Sequence, residues 1–102
     1  MPMSKDRVRF TLTPNMARCH SHQQLVEDTL GIPACDVKKY GDAYKPMRIV
    51  CRPSQFARFL IVRNKRGLQN GFKDLEPELF CPDMPEEVDA SRNPNRYTKD
   101  LL

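Results

Sequence analysis

The sequence predicts an α+β fold, a four-stranded antiparallel sheet with two helices on one face. Three observations lead there. Met47, Ile49 and Cys51 alternate with Arg48, Val50 and Arg52, the period-two pattern of a strand with one apolar and one cationic face. Arg7 to Thr13 alternates in the same way, with Val8, Phe10 and Leu12 set against Arg7, Arg9 and Thr11. Two stretches of helical character, Ser21 to Leu30 and Ser54 to Arg66, each run up to a glycine, Gly31 and Gly67.

Taken in order, residues 1–6 read as a flexible N-terminus, 7–82 as the domain and 83–102 as a largely irregular tail. After the first strand, Asn15 to His20 is polar, either a loop or a first helical turn following Pro14. Ser21 and Gln24 have the spacing of a capping box, and Leu25, Val26 and Leu30 form an apolar stripe at helical spacing that stops before Gly31, Ile32 and Pro33. Cys35 to Tyr40 is read as a second strand anchored by Val37, with Gly41-Asp42-Ala43-Tyr44 as the hairpin into the third. Pro46 and Pro53 bracket that third strand, and Ser54 stands where the N-cap of the second helix belongs. This helix is apolar nearly all round from Phe56 to Val62, the pattern of a helix that buries more than one face, and it ends in Arg63, Lys65 and Arg66. Leu68-Gln69-Asn70-Gly71 is a turn, and Glu78 to Cys81 supplies the fourth strand. The order strand, helix, strand, strand, helix, strand is that of two split βαβ units, the ferredoxin-like βαββαβ arrangement shared by RNA-recognition-motif domains. In the tail, Pro82, Pro85 and Pro94 oppose regular structure, while Tyr97, Leu101 and Leu102 are available to dock on the domain.

A chain of 102 residues holds one domain with a single core of modest size. Seventeen Lys and Arg against 13 Asp and Glu leave a formal charge of +4, which suits an anionic partner. No apolar run is long enough for a membrane helix, and Met-Pro-Met-Ser-Lys-Asp lacks the apolar core of a secretion signal, so an intracellular setting, cytoplasm or nucleus, is expected. Cys19, Cys35, Cys51 and Cys81 contain no Cys-x-x-Cys pair and are read as reduced thiols. No phosphate-cradling glycine loop and no nucleophile with a base are recognisable, so the expectation is a non-enzymatic domain without a cofactor. The cluster Cys19-His20-Ser21-His22 offers one group of metal ligands where zinc ordinarily takes two, and is read as the polar start of a helix.

Charge carries the functional reading. If the apolar strand residues face the helices, Arg7, Arg9, Arg48 and Arg52 emerge together on the open face of two central strands, where like charges repel unless something anionic relieves them. Lys38, Lys39 and Lys45 flank the expected hairpin, and Arg63, Lys65 and Arg66 end the second helix. These ten cations are the candidate contacts to RNA or another single-stranded nucleic acid. The sheet positions that hold base-stacking aromatics in RNA-recognition motifs carry Arg9, Thr11, Val50 and Arg52 here, and Tyr40 and Tyr44 are the nearest aromatics beside basic residues. The alternative is a protein-interaction or self-association module that uses the second helix or a sheet edge.

The stretch Pro46-Met47-Arg48-Ile49-Val50-Cys51, the basic helix end Arg63-Asn64-Lys65-Arg66-Gly67 and the segment from Phe80-Cys81-Pro82-Asp83 to Glu87 resemble the RNA-recognition-like domains of non-LTR retrotransposon first-open-reading-frame and Gag-like proteins. The resemblance implies binding, chiefly of single-stranded RNA, by a basic surface without strong sequence preference. The chain departs from that family in having neither the coiled coil nor the zinc knuckle of many relatives, and no basic helix after Glu87. Those departures leave room for a domesticated or standalone domain that has exchanged RNA for a protein partner.

Overall fold

A computed structural model of the chain describes residues 6–70, 75–81 and 86–93. Its elements are β1 (Arg7–Leu12), α1 (Pro14–Ala17), α2 (His20–Leu30), α3 (Ala34–Asp42), β2 (Met47–Cys51), α4 (Pro53–Lys65) and β3 (Glu78–Phe80), with a 3-10 turn at Ala90–Arg92. Expectations for the first five residues, for 71–74 and 82–85, and for the tail residues Tyr97, Leu101 and Leu102 lie outside the described residues.

Among the described residues the sheet has three antiparallel strands in the order β2-β1-β3, and four helices accompany it. This corrects the expected ferredoxin-like sheet of four strands with two helices. The stretch that differs is 34–42, where the expected strand Cys35 to Tyr40 and the hairpin after it form α3. A strand there would set Lys39 on the same face as Val37, whereas a helix gathers Ala34, Val37 and Gly41 on one side. In that arrangement Val37 and Gly41 are buried while Lys38 and Lys39 stay exposed. Pro33 has no side chain with which to cap the helix, and Glu27 of α2 does so instead, its Oε2 accepting the Ala34 N–H at 2.8 Å.

The alternating faces of β1 and β2 are realised. Val8, Phe10, Leu12, Met47, Ile49 and Cys51 are buried in one core with residues from all four helices. Phe10 sits beside Phe56 and Phe59, its ring centroid 5.1 and 5.0 Å from theirs. Helix α4 buries Phe59 and Val62 and leaves Ile61 exposed, so one side of it meets water. Arg58 of α4 and Arg66 just past its end hold α2: Arg58, buried, donates to the Thr29 carbonyl at 3.2 Å, and Arg66 meets Asp28 at 2.9 Å.

Helix starts differ in detail from the sequence pattern. α4 begins one residue before Ser54, with Pro53 in its first turn and Arg52 as the capping residue, whose N–H is taken by Gln55 Oε1 at 2.8 Å. The capping box expected of Ser21 and Gln24 does not form, because α2 already begins at His20 and Gln24 turns to Asp28 at 2.9 Å. Asn15 lies in the short helix α1, whose N-cap Thr13 accepts the Met16 N–H at 3.3 Å.

Residues 86–93 are clamped along the outer edge of β2. Val50 donates its N–H to the Val88 carbonyl at 3.0 Å, Gln55 Nε2 reaches the Ala90 carbonyl at 2.8 Å, and Asn93 Nδ2 reaches the Leu30 carbonyl at 2.9 Å. Val50, expected on the open face, is therefore fully buried.

His22, on the inner side of α2, gives the fold a pH dependence. Burial pulls its imidazole below the ordinary value of 6.5, so the folded state favours the neutral ring while the unfolded chain still takes up a proton near 6.5. Its contribution is complete above that pH and is lost as the pH falls below it, with a slope of at most about 1.4 kcal/mol per pH unit. Urea unfolding measured from pH 8 to 5 should show this decline, and His22→Gln should flatten it.

Candidate nucleic-acid interface

The open face of the sheet is built by the outward residues of β1 and β2. Register sets Thr11 opposite Arg48 and Arg9 opposite Val50, so Arg9 and Arg48 are diagonal neighbours rather than a directly opposed pair. On its other side β1 places Arg9 opposite Glu78 of β3. Arg9 Nε donates to Glu78 Oε1 at 2.6 Å, and its Nη1 lies 3.3 Å from Glu86. The bond to Glu78, with the added charge of Glu86, raises the Arg9 guanidinium above its ordinary value. The repulsion expected between arginines is thus answered within the protein. A surface hollow of about 230 Å³ between Arg9, Thr11, Arg48, Glu76 and Glu78 carries both signs of charge.

The remaining candidates divide by what holds them. Arg7 pairs with Asp6 at 2.9 Å, and Arg52 donates to the Asn93 carbonyl at 2.7 Å, which makes it a tie between the β2–α4 junction and residues 86–93. Lys38 pairs with Asp42 at 2.9 Å and Lys39 with Asp36 at 3.5 Å, both along the exposed side of α3. Arg66 is joined to Asp28, and Arg63 bonds the neighbouring Asn64 at 2.9 Å. Lys45, Arg48 and Lys65 are exposed, and no described residue forms an ion pair with them. Solvated pairs within a helix contribute only about 0.3–0.5 kcal/mol, so Lys38 and Lys39 can exchange their partners for phosphate readily.

Arg18 was not legible as a site residue. It follows α1 in the ambiguous polar stretch, and only the packing of α1 against α3 brings it to Tyr44, 26 positions away. Its guanidinium carbon lies 5.0 Å from the Tyr44 ring centroid, and its Nη1 donates to the Tyr44 hydroxyl at 3.1 Å. Lys45 follows directly, and Arg48 stands three residues further on, roughly 10 Å along an extended chain.

A groove of about 420 Å³ lies on another side, between the α2–α3 connection and residues 86–93. Asp36, Glu87 and Asp89 line it beside Tyr40, whose phenol is pushed up by burial and by Glu87. Three carboxylates make it a poor seat for phosphate.

Cys19 and Cys35 are exposed thiols and Cys51 is buried, its thiol pushed up to about 12 by burial and by Asp89, which keeps it protonated and unreactive at neutral pH. His20 and His22 are two residues apart on one helix, about 200° around its axis, so their rings diverge. Among the described residues no three metal-ligating side chains converge, and no helix is long and apolar enough to cross a membrane.

No protein-family model, no curated protein and no solved structure matches the chain. The fold and the site define a small α+β domain with a cationic, aromatic-topped corner where β2 begins.

Proposed function

We propose that this domain binds single-stranded nucleic acid, RNA above all, without catalysis, through the cations gathered where β2 begins. The observation that supports it is the pair Lys45 and Arg48, exposed, close in the chain, with no ion pair among the described residues, in a protein of formal charge +4. Lys38, Lys39 and Lys65, exposed, and Arg63, partly buried, extend the field, while Arg9 and Arg52 serve chiefly to hold β3 and residues 86–93. The short motifs that resemble retrotransposon RNA-binding proteins point the same way, although the sheet of RNA-recognition domains is not shared.

A labelled 12-nucleotide RNA titrated at several salt concentrations tests it. Each phosphate contact contributes about 0.7 to the slope of log affinity against log salt for a single strand. Lys45→Ala with Arg48→Ala should therefore flatten the slope by about 1.4, and weaken binding roughly 25-fold at 0.1 M salt through lost counterion release. Folding should change by no more than about 0.5 kcal/mol, as both side chains are exposed. An unchanged slope and affinity would overturn the assignment.

A protein-interaction reading has one specific observation in its favour. Leu79 is 62% exposed on β3, a strand paired with β1 alone among the described residues. Absence of RNA binding at every salt concentration, together with self-association that Leu79→Ser abolishes, would select that reading instead.

A further inference from the structure

We infer that Tyr44, backed by Arg18, is a stacking platform for one unpaired nucleobase; the inference rests on the nucleic-acid reading and names the part of the ligand that the cations do not recognise. Its first support is the backbone. Helix α3 ends in the two bonds of a Schellman motif, from the Tyr44 N–H to the Gly41 carbonyl at 3.1 Å and from the Lys45 N–H to the Tyr40 carbonyl at 3.0 Å. That motif sets its penultimate residue in the left-handed region, where glycine is the usual occupant, and here tyrosine takes it at φ 55°. A side chain with a Cβ is disfavoured in that conformation. Packing offers little in return, since Tyr44 remains 67% exposed. A position that local stability would assign to glycine thus carries an exposed aromatic ring.

The second support is the geometry of the ring. Arg18 covers one face and bonds the hydroxyl, which orients the ring, while the residue as a whole stays largely exposed. The Arg18 backbone is held by close packing, since α1 and α3 approach so nearly that a Cβ on Gly41 would lie 2.9 Å from the Arg18 backbone nitrogen, and its side chain is held by the bond to Tyr44. An ordered aromatic face with one cation behind it and Lys45 next in the chain matches what a single strand presents, a flat base attached to a phosphate. A duplex hides its base faces within the stack and offers this platform nothing.

The test uses three variants of the full chain. Tyr44→Gly should keep or raise the melting temperature, because glycine suits the left-handed position, yet bind the 12-nucleotide RNA about 5- to 150-fold more weakly, the range for loss of one stacked base. Tyr44→Phe should retain most of the affinity, since the ring does the stacking. The chain has no tryptophan, so Tyr44→Trp provides a single reporter. Its fluorescence should be quenched by the RNA and left unquenched by base-free polyphosphate, which meets only the cations. RNA binding that survives Tyr44→Gly, or a tryptophan unquenched while RNA is bound, overturns the platform and leaves the phosphate reading standing. No RNA binding by the unaltered chain at any salt concentration removes both.

Discussion

Alanine at Gly41 should lower the melting temperature, by up to roughly 10 °C, although in an exposed helix the same change stabilises by about 1 kcal/mol. The reversal comes from the contact between α3 and α1. A Cβ at Gly41 would lie 2.6 Å from Arg18 Cγ and 2.9 Å from both the Ala17 carbonyl carbon and the Arg18 nitrogen. Arg18 Cγ belongs to a flexible side chain and can move aside. The two backbone atoms cannot, unless α1 shifts as a whole, and α1 is fixed by the Thr13 cap and by the burial of Met16 and Ala17. Overpacking of this kind costs about 1–3 kcal/mol, and here it must also offset the gain in helix propensity. A net loss of up to about 2 kcal/mol is expected, read as a lower urea midpoint at unchanged m-value. Gly67 is the matched control: its φ of 69° disfavours alanine, yet no atom lies within 4 Å of the added carbon, so its smaller loss measures backbone strain alone. A Gly41→Ala protein as stable as the parent would show that α1 is not seated as described.

Gln55→Leu should remove about 2–4 kcal/mol, from a domain whose total stability is of the order of 5–15 kcal/mol. Gln55 is fully buried and bonds in opposed directions: its Oε1 accepts the Arg52 N–H at 2.8 Å and its Nε2 donates to the Ala90 carbonyl at 2.8 Å and to the Asn93 carbonyl at 3.4 Å. Leucine fills similar space and satisfies neither group. The capping N–H of Arg52 would lose its acceptor, at about 1–3 kcal/mol, while the Ala90 carbonyl would keep the Asn93 N–H at 3.0 Å and lose one bond of about 1 kcal/mol. The local consequence is specific. With the Ala90 anchor gone, the bond from Val50 to Val88 opens more often, so amide exchange at Val50 should accelerate beyond the change seen at Phe10. A leucine variant within 0.5 kcal/mol of the parent, with Val50 still protected, would show that residues 86–93 are held by other contacts.

Local periodicity determined a good part of this protein. The alternation in 7–12 and 47–51 marks both strands and names the residues that reach the core, and α2 and α4 begin within about a residue of their expected starts. Gly31 and Gly67 stand just past those helices at φ 73° and 69°, as a left-handed stop requires. These features were legible because each is decided by neighbours a few positions away. Burial of one face fixes the period, and a missing Cβ fixes the stop.

What tertiary structure decided involves residues far apart in the chain. Residues 34–42 have one strong apolar anchor, Val37, and no marked preference for helix or strand; a carboxylate from α2 at their start and the close approach of α1 at Gly41 make them helical. The same holds for the candidate interface. The sequence listed its cations, but the pairing of Arg9 with Glu78, 69 positions away, depends on the β1–β3 register, and the placing of Arg18 on Tyr44 depends on how two helices pack. A charge is written in the sequence, whereas its partner is chosen by the fold. For that reason the cationic corner moved from the centre of the sheet to the place where α3 hands over to β2, with Lys45 and Arg48 left exposed to solvent.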